Sequence, residues 1–207
     1  MADTFLSKIF SVKGNDAMRE VYDEWASSYD KDILETGYAT PVRVAAALKS
    51  QLPDTHGQIL DFGCGTGLSG QALSEAGFST IDGVDLSPEM LRAAREKGVY
   101  RDLWAAGDDA THDIAPGQYD AITAIGVISY GAAPLSVFDD IFKWLAPGNL
   151  FAFSFNDQSL EDGRYEAKVD EYISAGRAEL LISEYGPHLT KLGVNSGSKV
   201  FVLKCLS

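Results

Sequence analysis

Short apolar runs alternate along this chain with stretches whose apolar positions recur at helical spacing, which is the sequence form of repeated β-α units. The runs Gln58 to Phe62, Thr80 to Val84, Leu103 to Ala106, Ala121 to Ile125 and Leu150 to Phe155 read as strands. Helix signals lie between them. Thr40-Pro41 has the form of an N-cap followed by proline at the first helical position, opening "VRVAAALKSQL". Ser87-Pro88 does the same for "EMLRAAREKG", which Gly98 stops. Pro134 begins "LSVFDDIFKWLAPG", which closes with the proline and glycine expected beyond a helix.

The last quarter changes character. "RYEAKVDEYISAG" predicts a helix, and "RAELLISEYG" and "KVFVLKC" predict strands separated by the turn-rich "GVNSGS". Two neighbouring late strands imply an antiparallel hairpin on the sheet edge. The expected architecture is therefore α/β: a doubly wound, mostly parallel sheet flanked by helices and made mixed by that hairpin. Residues 1–207 read as one domain with a short N-terminal addition.

The segment "ILDFGCGTGLSG" carries the candidate chemistry. Between a strand and a helix, glycines let a ligand approach the backbone, and the free amides of the helix start point toward it. Gly65 to Gly70 fits the GxGxxG of dinucleotide-binding proteins, while Gly63, Gly65 and Gly67 fit a GxGxG loop. Asp85 follows an apolar run 20 residues after Gly65, where a carboxylate can accept hydrogen bonds from both ribose hydroxyls. Asp61, two residues ahead of the first glycine, would organise the loop and help hold an ammonium group, and it would repel a pyrophosphate. "GDD" at 107–109 sits where an acid can accept from the exocyclic amine of adenine. A ligand with an ammonium, a ribose and an adenine, and without phosphate, satisfies all three acidic positions.

Composition narrows the partners. A formal charge of −13, from 30 acids against 17 bases, disfavours nucleic acid and anionic lipid. No stretch approaches the roughly 20 apolar residues that span a bilayer. Cys64 and Cys205 are the only cysteines, which argues for reduced thiols and a cytoplasmic location. His56, His112 and His188 lack metal-ligand spacing, so no metal is expected.

In order and spacing, "ILDFGCGTG", "GVDLSPEML", "AAGDDA", "YDAITAIGVI" and "WLAPGNLFAFSF" resemble the successive motifs of the class I S-adenosylmethionine-dependent methyltransferases, across roughly residues 40 to 155. The resemblance implies a seven-stranded Rossmann-like sheet and S-adenosyl-L-methionine as cofactor. It implies that Gly63, Gly65 and Gly67 face the methionine part, that Asp85 takes the ribose, and that Asp108 with the Asp109 backbone takes the adenine. Leu86 and Ile125 join the implied cofactor contacts. "VYDEWASSYDKDILETGYATP" resembles the capping segment of small-molecule methyltransferases, nearest the Williams–Beuren-type methyltransferase-like group. That implies a helical cap over 1–39, with Tyr22, Trp25 and Tyr29 near the cofactor and Tyr29 as the preferred contact. Asn149 departs from the family's usual second glycine at a turn.

These residues also have structural readings. Tyr22, Trp25 and Tyr29 fall at i, i+3 and i+7, the spacing of an ordinary apolar helix stripe. Trp25, Tyr130 and Asn156 are the candidate substrate contacts, the last two because open α/β sheets bind ligands beyond the strands' carboxyl ends. His188, read as a loop residue, is the weak candidate for a general base. Cys64 is small enough for its loop, and no histidine signature activates it. The expected activity is methyl transfer to an N, O or S nucleophile of a small molecule. Two other readings stand beside it: a non-catalytic S-adenosylmethionine-binding module, and an NAD-dependent oxidoreductase suggested by GxGxxG with Asp85.

Overall fold

Strand β1 (Gln58–Phe62) buries its three central residues, Ile59, Leu60 and Asp61, as a strand covered on both faces must. The computed structural model describes residues 15–106, 114–129, 132–191 and 196–207. Its sheet adds β2 (Thr80–Asp85), β3 (Asp102–Ala105), β4 (Ala121–Ala124), β5 (Leu150–Asn156), β6 (Ala178–Leu189) and β7 (Ser196–Cys205). The seven strands run in the order β3-β2-β1-β4-β5-β7-β6. β1 to β5 pair in parallel, and β7 lies antiparallel between β5 and β6. This is the doubly wound sheet with a late hairpin that the chain pattern predicts.

Alternation along the strands sorts the core into two layers. Leu60, Ile122, Phe151, Phe153 and Leu203 face one side, where α5 (Val137–Trp144) and α7 (Arg164–Ser174) supply Phe138, Phe142, Val169 and Tyr172. Ile59, Ile81, Ala121, Ala152 and Val202 face the other, against Val44 and Leu48 of α2 (Thr40–Gln51) and Leu73 of α3 (Leu68–Glu75). α1 (Asn15–Glu35) makes a separate small cluster from Met18, Val21, Trp25 and Ile33. α4 (Pro88–Glu96) and α6 (Asp157–Glu161) follow β2 and β5.

Several boundaries differ from expectation for physical reasons. Ser87 does cap α4, accepting from the Met90 amide. Thr40 is not a cap: Ala39 precedes the helix, and the Thr40 hydroxyl instead reaches His188 and Ser198 of the hairpin. Residues 134–136 form a turn, so α5 begins at Val137 rather than at Pro134. β6 runs past "SEYG" to Leu189, with Pro187 at a register irregularity of this edge strand, where a missing N–H is tolerated. Ser196, Gly197 and Ser198, expected in the turn, belong to β7.

Arg43 of α2 clamps the hairpin, donating to the carbonyls of Glu184, Pro187 and Ser198 and to Ser198 Oγ. Replacing Arg43 by alanine is expected to cost about 1–3 kcal/mol, since four acceptors lose a charged donor. Urea unfolding of the two proteins checks this, and a loss below about 0.5 kcal/mol would remove the clamp from the account.

Candidate functional site

The site is built on a buried carboxylate. Asp61 is 0% exposed, and three hydroxyls surround it: Ser69 at 2.6 Å and Tyr100 at 2.8 Å donate to Oδ2, and Thr123 at 2.9 Å donates to Oδ1. Burial pushes its pKa up, and the three hydroxyl donors oppose that push. Each partner comes from a different element. Ser69 lies in the first turn of α3, Tyr100 precedes β3, and Thr123 stands beside Asp61 in the β1–β4 register. Tyr100 also accepts from the Gly70 amide at 3.1 Å, so the helix after the glycine loop is tied to the same point. Asp61 thus holds the loop from beneath.

The three glycines of the loop are bare for different reasons, although all have positive φ. A Cβ on Gly63 would collide with Val127, and one on Gly67 would crowd Lys97, Tyr100 and Ala94. A Cβ on Gly65 would meet nothing within 4 Å. Only at Gly65 does the missing side chain open onto free space. Its amide donates to Asp85 Oδ2 at 2.8 Å, while Oδ1 accepts from Ser87 N at 2.9 Å. Asp85 is the last residue of β2 and half-buried; burial raises its pKa, the Ser87 and Gly65 amides lower it, and Asp61 raises it. The Leu86 amide acts on the same carboxylate, so these backbone donors take only part of its roughly four acceptor positions. Leu86 beside it is half-buried.

α1 is fastened over this loop through two aspartates one heptad apart. Asp23 accepts from Ser87 Oγ, and Asp30 accepts from Thr66 Oγ1 and pairs with Lys97. Tyr22 and Tyr29, each one residue earlier, are half-buried, and burial and the nearby Asp85 raise the pKa of both hydroxyls. Neither hydroxyl has a hydrogen-bond partner among the described residues. Trp25 requires a correction as a substrate contact. It is 2% exposed, its Nε1–H donates to Asp32 at 2.8 Å, and it packs on Tyr29 at 4.6 Å, so it is core of the α1 cluster.

The far side of the site lies at the ends of β4, β5 and β6. Ile125 directly follows β4, with its side chain 7% exposed in the core cluster that holds Val44 and Leu48. Asn156 closes β5 and caps α6 through Oδ1, which accepts from Ser159 N at 3.0 Å. Tyr38 follows α1. Its ring stands edge-on to His188 at 5.3 Å, and its hydroxyl lies so close to Gly126 that a Cβ there would come within 2.7 Å of it. Asp108, Asp109 and Tyr130 lie outside the described residues.

His188, the candidate general base, is drawn into the packing of the hairpin. It sits in β6 rather than in a loop, and its Nδ1 meets Thr40 Oγ1 at 2.8 Å, which meets Ser198 Oγ at 2.8 Å. Arg43 only donates, so the fully buried Ser198 hydroxyl accepts from it at 3.0 Å. The imidazole is thus tied through Nδ1 to a hydrogen-bonded chain of Thr40, Ser198 and Arg43, and burial lowers its pKa to about 4.

The chain matches the methyltransferase domain family over residues 60–151. It is 32% identical to human methyltransferase-like protein 27 over 169 residues, which cover 78% of this chain and 68% of that protein. The chain belongs to the class I S-adenosylmethionine-dependent methyltransferases. This methyltransferase is also 29% identical over 119 residues to a ubiquinone biosynthesis O-methyltransferase of Burkholderia vietnamiensis, of which it spans about half, 51%. Among solved structures, a putative methyltransferase in complex with the Haloferax volcanii Trm112 activator aligns with a TM-score of 0.64 at 18% identity, covering 92% of this chain and 98% of that one. A TehB-like S-adenosylmethionine-dependent methyltransferase from Corynebacterium glutamicum aligns at 0.61 and 17% identity, covering 90% and 99%. These two share the fold. The family sets aside the NAD-dependent reading, and the local geometry agrees: the methyltransferase loop leads its Gly65 amide to a carboxylate, where a pyrophosphate would meet negative charge.

Sequence reasoning missed the partners of Asp61 and the aspartates of α1. Thr123 had a readable signal, as the one hydroxyl inside the apolar strand "AITA". Asp61→Ala is expected to cost about 2–4 kcal/mol in urea unfolding, because three hydroxyls lose their acceptor; a cost under about 1 kcal/mol would contradict the anchoring role. For His188 the sign is set by a folded pKa of about 4 below the ordinary 6.5. As pH falls through that window the unfolded chain binds a proton that the folded chain excludes, so stability drops by about 1–3 kcal/mol and is intact above pH 6.5. Comparing unfolding midpoints at pH 7.5 and 4.5, His188→Gln should lose less than the parent protein; equal losses would show that His188 does not carry this dependence.

Proposed function

We propose that this enzyme moves a methyl group to an N, O or S nucleophile of a small molecule held between α1 and the carboxyl ends of β1, β2 and β4. The observation that carries the reading is the free space at Gly65 beside a carboxylate with acceptor positions left, near tyrosines whose hydroxyls have no hydrogen-bond partner among the described residues. The residues present suit S-adenosylmethionine. Asp85 would take the ribose hydroxyls, the loop backbone around Gly65 the methionine part, and Leu86 the edge of the nucleoside. Asp108 and Asp109 are proposed for the adenine on the sequence resemblance. Asp61, sealed by its three hydroxyls, acts on the cofactor through the loop it positions. When bound, S-adenosylmethionine supplies an activated methyl group on a positively charged sulfur.

The chain's own contribution is orientation and exclusion of water. α1 serves as the cap, fastened by Asp23 and Asp30 on either side of Asp85, and its tyrosines narrow the opening into a recess. A recess suits a small acceptor better than a folded protein surface. The ubiquinone biosynthesis O-methyltransferases among the relatives support small-molecule chemistry in the same family.

Calorimetric titration with S-adenosylhomocysteine tests the assignment. The parent protein should bind, and Asp85→Ala should bind at least about tenfold more weakly, as expected when a charged acceptor of two hydroxyl hydrogen bonds is removed. Unchanged affinity in Asp85→Ala would take the ribose away from Asp85.

A further inference from the structure

We propose that the methyl acceptor is an amine, received against a wall formed by Tyr22, Tyr29 and Tyr38; this rests on the recess being the methyl-transfer site. Three independent features of the recess converge on that chemistry. First, its hydroxyls are unusual in having no partner. Tyr22, Tyr29 and Tyr38 are half-buried, and no hydrogen bond engages their hydroxyls among the described residues. All three pack on the α1 cluster, with the Tyr22 and Tyr29 centroids 6.5 Å apart. The Tyr38 hydroxyl lies over Gly126 at the end of β4. Burial raises the pKa of each, so the wall is neutral: aromatic faces and hydroxyl dipoles without charge.

Second, the surroundings are negative. Asp85 and Asp61 both act on these tyrosines. Among the described residues, Lys97 is paired with Asp30 and Arg43 is engaged by three carbonyls and Ser198. A carboxylate or phosphate acceptor would enter this recess uncompensated, while a cation gains both from the aromatic faces and from the carboxylates.

Third, no general base faces the recess among the described residues. Asp61 is sealed, Asp85 sits at the cofactor end, and His188 is half-buried with its Nδ1 in a hydrogen bond with Thr40. A phenol or alcohol needs a proton removed as it attacks, whereas an amine that enters as an ammonium ion gives its proton to water beforehand and attacks as the neutral amine without a base. The amine lone pair forms the new N–C bond while the C–S bond breaks, its electron pair passing to sulfur. Positive charge moves from sulfur to nitrogen, and the ammonium proton leaves to water afterwards. The tyrosine wall is suited to a cation at both stages.

The test uses the full chain saturated with S-adenosylhomocysteine and three probes of one shape: benzyltrimethylammonium, benzyl alcohol and benzoate. Benzyltrimethylammonium stands for the methylated product, and calorimetry should find it bound about tenfold or more tightly than either other probe. Tyr22→Leu should reduce that preference to under threefold, while Tyr22→Phe, which keeps the ring, retains most of it. Equal binding of the three probes, or preference for benzyl alcohol or benzoate by the parent protein, overturns the proposal without reference to any variant. Failure of S-adenosylhomocysteine itself to bind would instead overturn the functional reading beneath it.

Discussion

A carboxylate buried with no positive partner among the described residues organises this molecule. Taking Asp61 out of water is costly unless its oxygens are satisfied, and three hydroxyls from α3, the β3 approach and β4 satisfy them. The requirement works in both directions. The carboxylate cannot be buried unless those elements converge, and once they do the glycine loop between β1 and α3 has little freedom left. The loop is further bound to β2, since the Gly63 and Cys64 amides both donate to the Val84 carbonyl. The result is a preformed backbone surface at the central strand of the sheet, where its winding changes direction and ligands of such sheets collect.

The N-terminal helix completes that surface by the same economy of contacts. Asp23 and Asp30 attach it to Ser87 and Thr66, residues that flank Asp85 from two different loops. Ser87 both caps α4 and donates to Asp23, so cap and helix terminus share one hydroxyl. With its polar side held in this way, α1 presents Tyr22 and Tyr29 beside the opening at Gly65. At the other end, the connector after α1 joins β6 through backbone bonds from Ala39, Thr190 and Lys191. The edge hairpin and the cap are therefore one continuous frame around the site, and Arg43 locks its outer side.

Most of the sheet was legible because strands buried on both faces leave unbroken apolar runs, and because Ser87-Pro88 is a cap signal whose chemistry is local. The glycines and Asp85 were legible for the same reason, since strand, loop and acid are spaced along one stretch of chain. What failed was information carried by distant contacts. Thr40 resembles a cap in sequence, but its hydroxyl serves His188 and Ser198, roughly 150 residues away in the chain. The same contact, invisible in sequence, ties His188 to α2 within the hairpin packing. Trp25 and Tyr29 share a helix stripe, yet packing buries the first and leaves the second half-buried, a distinction that periodicity does not hold.

The central claim is that the cofactor lies on the backbone at Gly65, between Asp85 and the tyrosines of α1. Backbone amide NMR during titration with S-adenosylhomocysteine tests it directly, because each amide reports its own surroundings. The account predicts that the largest shifts fall on Gly65, Asp85, Leu86, Tyr22 and Tyr29, with the β6–β7 hairpin below Ser198 unmoved. Shifts gathered elsewhere, with Gly65 and Asp85 unchanged at saturation, would contradict it.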